Sequence, residues 1–153
     1  MDNPFELAPL DALRAQGVKA LRACNDRTAP YGLSLSEEQI QAMICEHLDA
    51  LHSAGRIAFD QRPLQDLIRG FCSSPYLTQR TYMETLCELL TIFYYIKNET
   101  DSLIPDDDLI ACMRKAFDTV CAGTLEYLAD YTLEALLRGR GGDWDFQDAD
   151  FDE

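Results

Sequence analysis

Residues 71–99 hold the feature that most constrains the fold, two adjacent rows of apolar side chains at helical spacing. The first row is Tyr82, Leu86, Leu89, Phe93 and Ile96. The second row is Met83, Cys87, Leu90 and Tyr94. Because so wide an apolar stripe is typical of a helix buried against more than one neighbour, we predict a central helix at about 78–97. The polar row that is expected to stay in water is Glu84, Glu88, Thr91 and Tyr95.

Capping and breaking residues mark where helices begin and end. Pro75 ends the helix before the central one, and Thr78 is the expected N-cap of the central helix. Ser36 and Gln39 have the spacing of a capping box, and Gly55 is well suited to follow the end of the helix that they start.

Apolar periodicity predicts helices in the rest of the chain as well. Residues 4–24 form either one helix or two broken near Gly17, and further helices follow Pro63, Pro105 and Thr124, the last one ending at Gly139. Residues 56–60 alternate briefly and predict an extended connector. The sequence therefore predicts an all-α, single-domain bundle of six to seven helices around the central helix.

The helical pattern covers residues 1–138 and then stops. Residues 139–142, GRGG, predict a flexible joint. Residues 143–153, DWDFQDADFDE, form an acidic-aromatic tail whose composition cannot build a packed core by itself.

Length and composition are those of a soluble single domain. The chain has 153 residues, and no uninterrupted apolar run is long enough to cross a bilayer. The first ten residues lack the basic start and apolar core of a signal peptide. No two cysteines form a C-x-x-C pair, which favours reduced thiols and a cytoplasmic location. These cysteines are Cys24, Cys45, Cys72, Cys87, Cys112 and Cys121.

The net charge of −14 bears on the choice of partner. A phosphate backbone is repelled by such a field, so we expect no nucleic-acid binding, whereas a basic protein surface is attracted. Residues 143–153 contain six acidic residues and no Lys or Arg, which leaves −8 for the rest of the chain.

Two sets of residues have the side-chain types of metal ligands but not their spacing. His47 and His52 lie five apart, whereas zinc proteases place two histidines four apart on one helix face. Asp101 and residues 106–108 lack the alternating oxygen ligands of a calcium loop, and the aspartates suit a helix N-terminus instead. We predict no metal site and no cofactor.

Two further groups contain side chains of the kinds that act as nucleophiles or border ligand pockets. Ser73, Ser74 and the thiols Cys72 and Cys87 lie in no nucleophile motif and near no histidine in sequence, so no catalytic residue is predicted. The group at 94–99 either borders a small-molecule pocket, formed by Tyr94, Tyr95 and Lys97, or is a helix end. As a helix end, Lys97 would meet the last carbonyls and Asn98 would cap the helix.

Five segments together resemble an uncharacterised family of small helical Firmicutes-type bacterial proteins, a domain of unknown function. They are YGLSLSEEQ at 31–39, GRIAF at 55–59, FCSSPY at 71–76, IFYYIKNET at 92–100 and GTLEYL at 123–128. The resemblance runs from residue 31 to about residue 128 and implies a helical cytosolic protein. It implies no activity, cofactor or catalytic residue, and it leaves out the acidic-aromatic tail.

The functional prediction is a non-enzymatic adaptor or regulatory module that binds a protein with a basic surface. The tail is the predicted contact, because acid attracts a basic surface and aromatic rings are then buried. Its predicted contact residues are Trp144, Asp145, Phe146, Asp148 and Phe151. Two alternatives for the tail remain, a solvated end and a segment folded back on the helices. The alternative function is a small-molecule sensor, with an enzyme third.

Overall fold

The computed structural model describes residues 4–56 and 62–138, except for the side chains of residues 4–11 and 13. This part of the chain contains six α-helices and two 3-10 turns, joined by loops, and no β-strand. The helices are α1 (Pro4–Thr28), α2 (Glu37–Ser53), α3 (Arg62–Phe71), α4 (Tyr82–Glu99), α5 (Asp106–Asp118) and α6 (Leu128–Arg138). The all-α prediction is confirmed. Most of the predicted connector at 56–60 lies outside the described residues.

Several helix ends follow the local signals in the sequence. The Ser36 side chain accepts from the Gln39 amide, and the Gln39 side chain accepts from the Ser36 amide, so the capping box before α2 is present. Gly55 follows the end of α2 with φ of +74°, a left-handed conformation that glycine adopts without strain. The first helix runs through Gly17 without a break.

Two predicted helix starts were wrong. Thr78 precedes a 3-10 turn at Gln79–Thr81 rather than α4 itself, and its hydroxyl lies 3.0 Å from the hydroxyl of Thr81. The last helix begins at Leu128 and not directly after Thr124. The delay follows from the turn around Gly123, whose amide donates to the Phe117 carbonyl at 2.8 Å, so the chain needs further residues to resume a helix.

Helix α4 packs against α2, α3 and α6. Its side chains Leu86, Leu89 and Ile96 are fully buried, as the double apolar row predicts. Helix α5 packs against α3 and α6, and α1 packs against α2 and α3. None of the helices in the described part of the chain has the length and hydropathy that a membrane span requires.

Candidate functional site

A groove of about 510 Å³ runs between α2 and α4. We call it the α2/α4 groove. Its lining residues are Glu46, Asp49, Ala50, Ser53, Ala54, Cys87, Glu88, Thr91, Tyr94, Tyr95 and Asn98. Three of them are carboxylates, and none of the described lining residues is a lysine or an arginine.

Helical spacing aligns the polar side chains of the groove. On α2, Glu46, Asp49 and Ser53 follow one another at intervals of three and four residues, so they lie on one face. On α4, Glu88 and Tyr95 belong to the predicted polar row, and both are exposed. The prediction that this row stays in water is therefore confirmed, and the two polar faces border one groove.

The floor of the groove is formed by less polar groups. The Cys87 thiol is half-buried, and its sulfur lies 3.6 Å from the sulfur of Met43. Tyr94 is buried, and its hydroxyl lies 2.7 Å from Nε2 of His47, which is fully buried on α2. The hydrogen bond gives this buried histidine a partner within the core.

The Cys87 thiol reports the electrostatic potential of the groove. Its pKa is raised to about 11, mainly by burial and to a smaller extent by the carboxylates of Glu46, Glu88 and Glu84. A thiol with this pKa stays protonated near neutral pH, which disfavours a role as nucleophile. The same carboxylates favour a positively charged ligand.

A hydrogen-bond network joins α2 to α4 at one end of the groove. The side-chain amide of Asn98 donates to the Ala54 carbonyl at 2.9 Å. Arg56 donates to Oδ1 of Asn98 at 3.0 and 3.2 Å and to the Ser102 hydroxyl at 2.6 Å. Its guanidinium also lies 5.7 Å from the centre of the Tyr94 ring. These contacts fix the spacing of the two helices at this end.

Lys97 does not line the α2/α4 groove. It is 7% exposed, and its ammonium donates to the Ile104 carbonyl at 2.6 Å and pairs with Asp106 at 2.8 Å. It borders a separate cavity of about 150 Å³ together with Tyr94. The structure thus places Tyr94 beside both the α2/α4 groove and the smaller cavity. Tyr95 lines the α2/α4 groove, and Lys97 borders the smaller cavity.

The interpretation of Lys97 and Asn98 as residues that cap the end of α4 was wrong, because they make other contacts. Helix α4 continues through Glu99, so Asn98 is not its cap. Asp101 and Ser102 have φ of +54° and +58° and turn the chain back over the helix end. This turn brings the Ile104 carbonyl to Lys97, which binds it in place of the last carbonyls of its own helix.

The other candidate residues are distributed over the fold. His52 is exposed, while His47, the other histidine of the chain, is buried. Among the described residues, no three His, Cys, Asp or Glu side chains are grouped as a metal site requires. Ser74 is buried and donates to Asp118 at 2.7 Å, and Ser73 accepts from Arg114 at 3.1 Å, as expected of a helix-to-helix corner.

The predicted tail contacts cannot be placed, because Trp144, Asp145, Phe146, Asp148 and Phe151 lie outside the described residues. Sequence reasoning missed the α2 side of the groove. The spacing of Glu46, Asp49 and Ser53 was the available signal, but it does not indicate which helix lies opposite.

A family model matches residues 20–141, a range that contains α2 to α6 and the whole of the α2/α4 groove. The match leaves out residues 142–153, as the resemblance predicted for the tail. Searches of curated proteins and of solved structures gave no match. On its matched residues, the chain belongs to the family of unknown function DUF6323.

Proposed function

We propose that this protein is a non-enzymatic binding module that receives a basic segment of a partner protein in the α2/α4 groove. The observation that carries the proposal is the lining of Glu46, Asp49 and Glu88 without a described lysine or arginine. We also propose a cytoplasmic location, from the spread of the cysteines along the sequence.

The groove has the properties that recognition of a basic segment requires. Its carboxylates attract Lys and Arg side chains and raise the rate of encounter. Tyr95 is 47% exposed beside them and offers a ring over which a cation or an aliphatic stem can lie. The ends of α2 and α4 are held together through Asn98, so the groove needs little rearrangement to bind.

The acidic-aromatic tail is a second proposed contact with the same partner. Asp145 and Asp148 repeat the charge of the groove, and Trp144, Phe146 and Phe151 supply apolar area. Trp144 is the only tryptophan of the chain, and tryptophan is common among residues that dominate binding energy. Deleting residues 143–153 measures how much of the affinity the tail adds to that of the groove.

The proposal is tested by binding of a lysine- and arginine-rich peptide with interspersed leucines. The peptide is titrated into the full-length protein and into the double variant Glu46→Lys/Glu88→Lys by calorimetry. We expect the variant to lose at least tenfold in affinity, because about 1.4 kcal/mol is tenfold and close charge pairs contribute this much or more.

A matched control separates the groove from the overall charge. The variant Glu126→Lys/Glu134→Lys changes the net charge equally, at exposed positions outside the groove. It should retain nearly the wild-type affinity. Equal losses in both double variants would show that the peptide responds to net charge alone, and the groove would not be the binding site.

A small-molecule sensor is the second candidate, because about 510 Å³ lies within the usual volume of ligand pockets. Tyr94 and Tyr95 would border the ligand, and the carboxylates favour a polyamine. The separate cavity that Lys97 borders, at about 150 Å³, is smaller than such pockets. Titration with spermidine distinguishes the candidates, since the sensor requires affinity for spermidine at least equal to that for the peptide.

A further inference from the structure

A second groove, of about 500 Å³, runs between α3 and α5. We call it the α3/α5 groove. Its lining residues are Asp66, Arg69, Gly70, Asp107, Ile110, Ala111, Arg114 and Lys115. It lies within the residues that the family model matches and shares no lining residue with the α2/α4 groove.

The floor of this groove is apolar because α3 and α5 approach closely. A Cβ atom at Gly70 would lie 2.7 Å from Cγ2 of Ile110, so only glycine fits there. Ala111 adds a small exposed side chain next to Ile110. The small side chains of Gly70 and Ala111 and the apolar side chain of Ile110 therefore give this part of the groove an apolar floor.

Charge is divided between the two ends of the channel. Asp66 and Asp107 border one end, where burial raises the pKa of Asp66 in spite of its ion pair with Arg69, and Asp107 adds to the rise. Arg114 and Lys115 border the other end. Arg114 is held there by Asp118 and by the Gly70 carbonyl, to which it donates at 2.7 Å.

We therefore expect an acidic segment to be attracted to the α3/α5 groove and repelled by the α2/α4 groove. The lining of the α3/α5 groove holds Arg69, Arg114 and Lys115 beside Asp66 and Asp107, whereas the charged groups in the described lining of the α2/α4 groove are carboxylates only. Arg69 pairs with Asp66 and Arg114 pairs with Asp118, so the excess of positive charge lies at the end of Arg114 and Lys115, in a chain of net charge −14.

We propose that residues 143–153 of the same chain occupy the α3/α5 groove. Aromatic side chains of the tail lie on the floor of Gly70, Ile110 and Ala111, and its carboxylates lie near Arg114 and Lys115. The aromatic residues in question are Trp144, Phe146 and Phe151. A partner that binds the tail then has to displace it from this groove.

The length of the chain permits this contact. The tail follows α6, which packs against α5, with the sequence GRGG at residues 139–142 between them. An extended chain spans about 3.3–3.6 Å per residue, so residues 139–153 reach roughly 50 Å. Helix α5 has 13 residues and is only about 20 Å long.

The test uses the fluorescence of Trp144, since no other tryptophan contributes. Emission and quenching by neutral acrylamide are measured for the full-length protein and for the synthetic peptide DWDFQDADFDE. We expect the protein to emit at shorter wavelength than the peptide and to be quenched less. High salt should reduce the difference, because it screens the attraction between the tail and Arg114 and Lys115.

Three variants locate the contact. Ala111→Glu places a carboxylate on the apolar floor, and Lys115→Glu reverses one cation; each should move the emission to that of the peptide. Arg80→Glu makes the same charge change at an exposed position outside the groove and should leave the emission unchanged. Circular dichroism checks that all three variants keep their helix content.

Four results would overturn the assignment. Emission of the full-length protein equal to that of the peptide would show a solvated tail. Equal effects of Arg80→Glu and Lys115→Glu on the emission would show that it responds to the net charge of the protein and not to a contact in the groove. An emission shift that neither groove variant alters would place Trp144 elsewhere on the helices. A shift that grows with protein concentration would assign the groove to the tail of a second copy. No partner is needed, so the result does not depend on the proposed function.

Discussion

The two grooves of this protein have nearly equal volumes, about 510 Å³ between α2 and α4 and about 500 Å³ between α3 and α5, but their walls differ in chemistry. The first is bordered by carboxylates and an exposed tyrosine. The second has an apolar floor, with Arg114 and Lys115 at one end and two aspartates at the other. Cavity size therefore does not distinguish the two grooves, whereas the sign and position of charge do.

The difference begins in how the helices pack. Helices α2 and α4 pack through large side chains, among them Met43 and the hydrogen-bonded pair His47 and Tyr94. Helices α3 and α5 meet closely at Gly70 and Ile110. The first groove is lined by polar side chains of both helices, whereas the second has the small residues Gly70 and Ala111 beside Ile110.

The largest expected effect comes from a substitution that weakens the core beneath the grooves. Phe93 is 1% exposed, and its ring packs edge-on against Tyr94 with centroids 5.0 Å apart. We expect Phe93→Ala to cost about 3–5 kcal/mol in the free energy of unfolding, a large part of the stability of a small domain. Urea denaturation measures the loss.

Leu103→Ala is the control for that measurement, because Leu103 is 78% exposed. We expect it to change the free energy of unfolding by no more than about 0.5 kcal/mol. Similar values for the two variants would show that α4 does not support the core. Both grooves would then have to be explained without it.

A smaller effect is expected from Gly70→Ala, which disturbs the α3/α5 groove alone. The added methyl group meets Ile110, and overpacking costs about 1–3 kcal/mol. Helix propensity returns up to about 1 kcal/mol, so we expect a net loss of stability. Binding of the basic peptide to the α2/α4 groove should stay the same.

A double-mutant cycle isolates the cause of that loss. Alanine at position 110 lacks the Cγ2 atom that the new methyl group would meet, so Gly70→Ala should cost nothing, or stabilise, in an Ile110→Ala background. An equal loss in both backgrounds would mean that the close approach of α3 and α5 is not what requires glycine.

The smallest expected effect is a change in the reactivity of one thiol. The variant Glu46→Gln/Glu88→Gln removes two charges that raise the pKa of Cys87, so the pKa should fall and alkylation at mildly alkaline pH should become faster. Because burial is the larger cause, the pKa should stay above its ordinary value. Mass spectrometry of alkylated peptides gives the rate for each cysteine.

Cys121 is an internal control in the same sample. Its pKa is also raised to about 11, but burial alone is the cause. Its alkylation rate should therefore not change in the double variant. Equal acceleration of both thiols would indicate a general loosening of the fold rather than a change in the potential of the α2/α4 groove.

Helices and their ends were predictable where the signal is local. Ser36 and Gln39 cap α2 through side chains three residues apart, and the polar row that contains Glu88 and Tyr95 lies on one helix. Such features depend on residues close in sequence. Periodicity is therefore sufficient to predict them.

Only the α4 side of the α2/α4 groove was predictable, because the position of α2 opposite it depends on tertiary packing. Nothing in the spacing of Glu46 and Asp49 indicates that α4 lies opposite. The position of Lys97 was missed for a related reason. Asp101 and Ser102 adopt left-handed backbone conformations, which residues other than glycine adopt only occasionally, so the path that brings the Ile104 carbonyl to Lys97 does not follow from the residue types alone.

The most direct test of the opposite character of the two grooves is a map of amide chemical shifts by NMR on addition of the basic peptide. The map is recorded on the protein without residues 143–153, so that displacement of the tail cannot contribute. The account predicts shift changes grouped at residues 46–54 and 87–98, with none at 107–115. Changes grouped along α3 and α5, or spread evenly over all acidic surfaces, would contradict the assignment of the α2/α4 groove as the site for a basic partner.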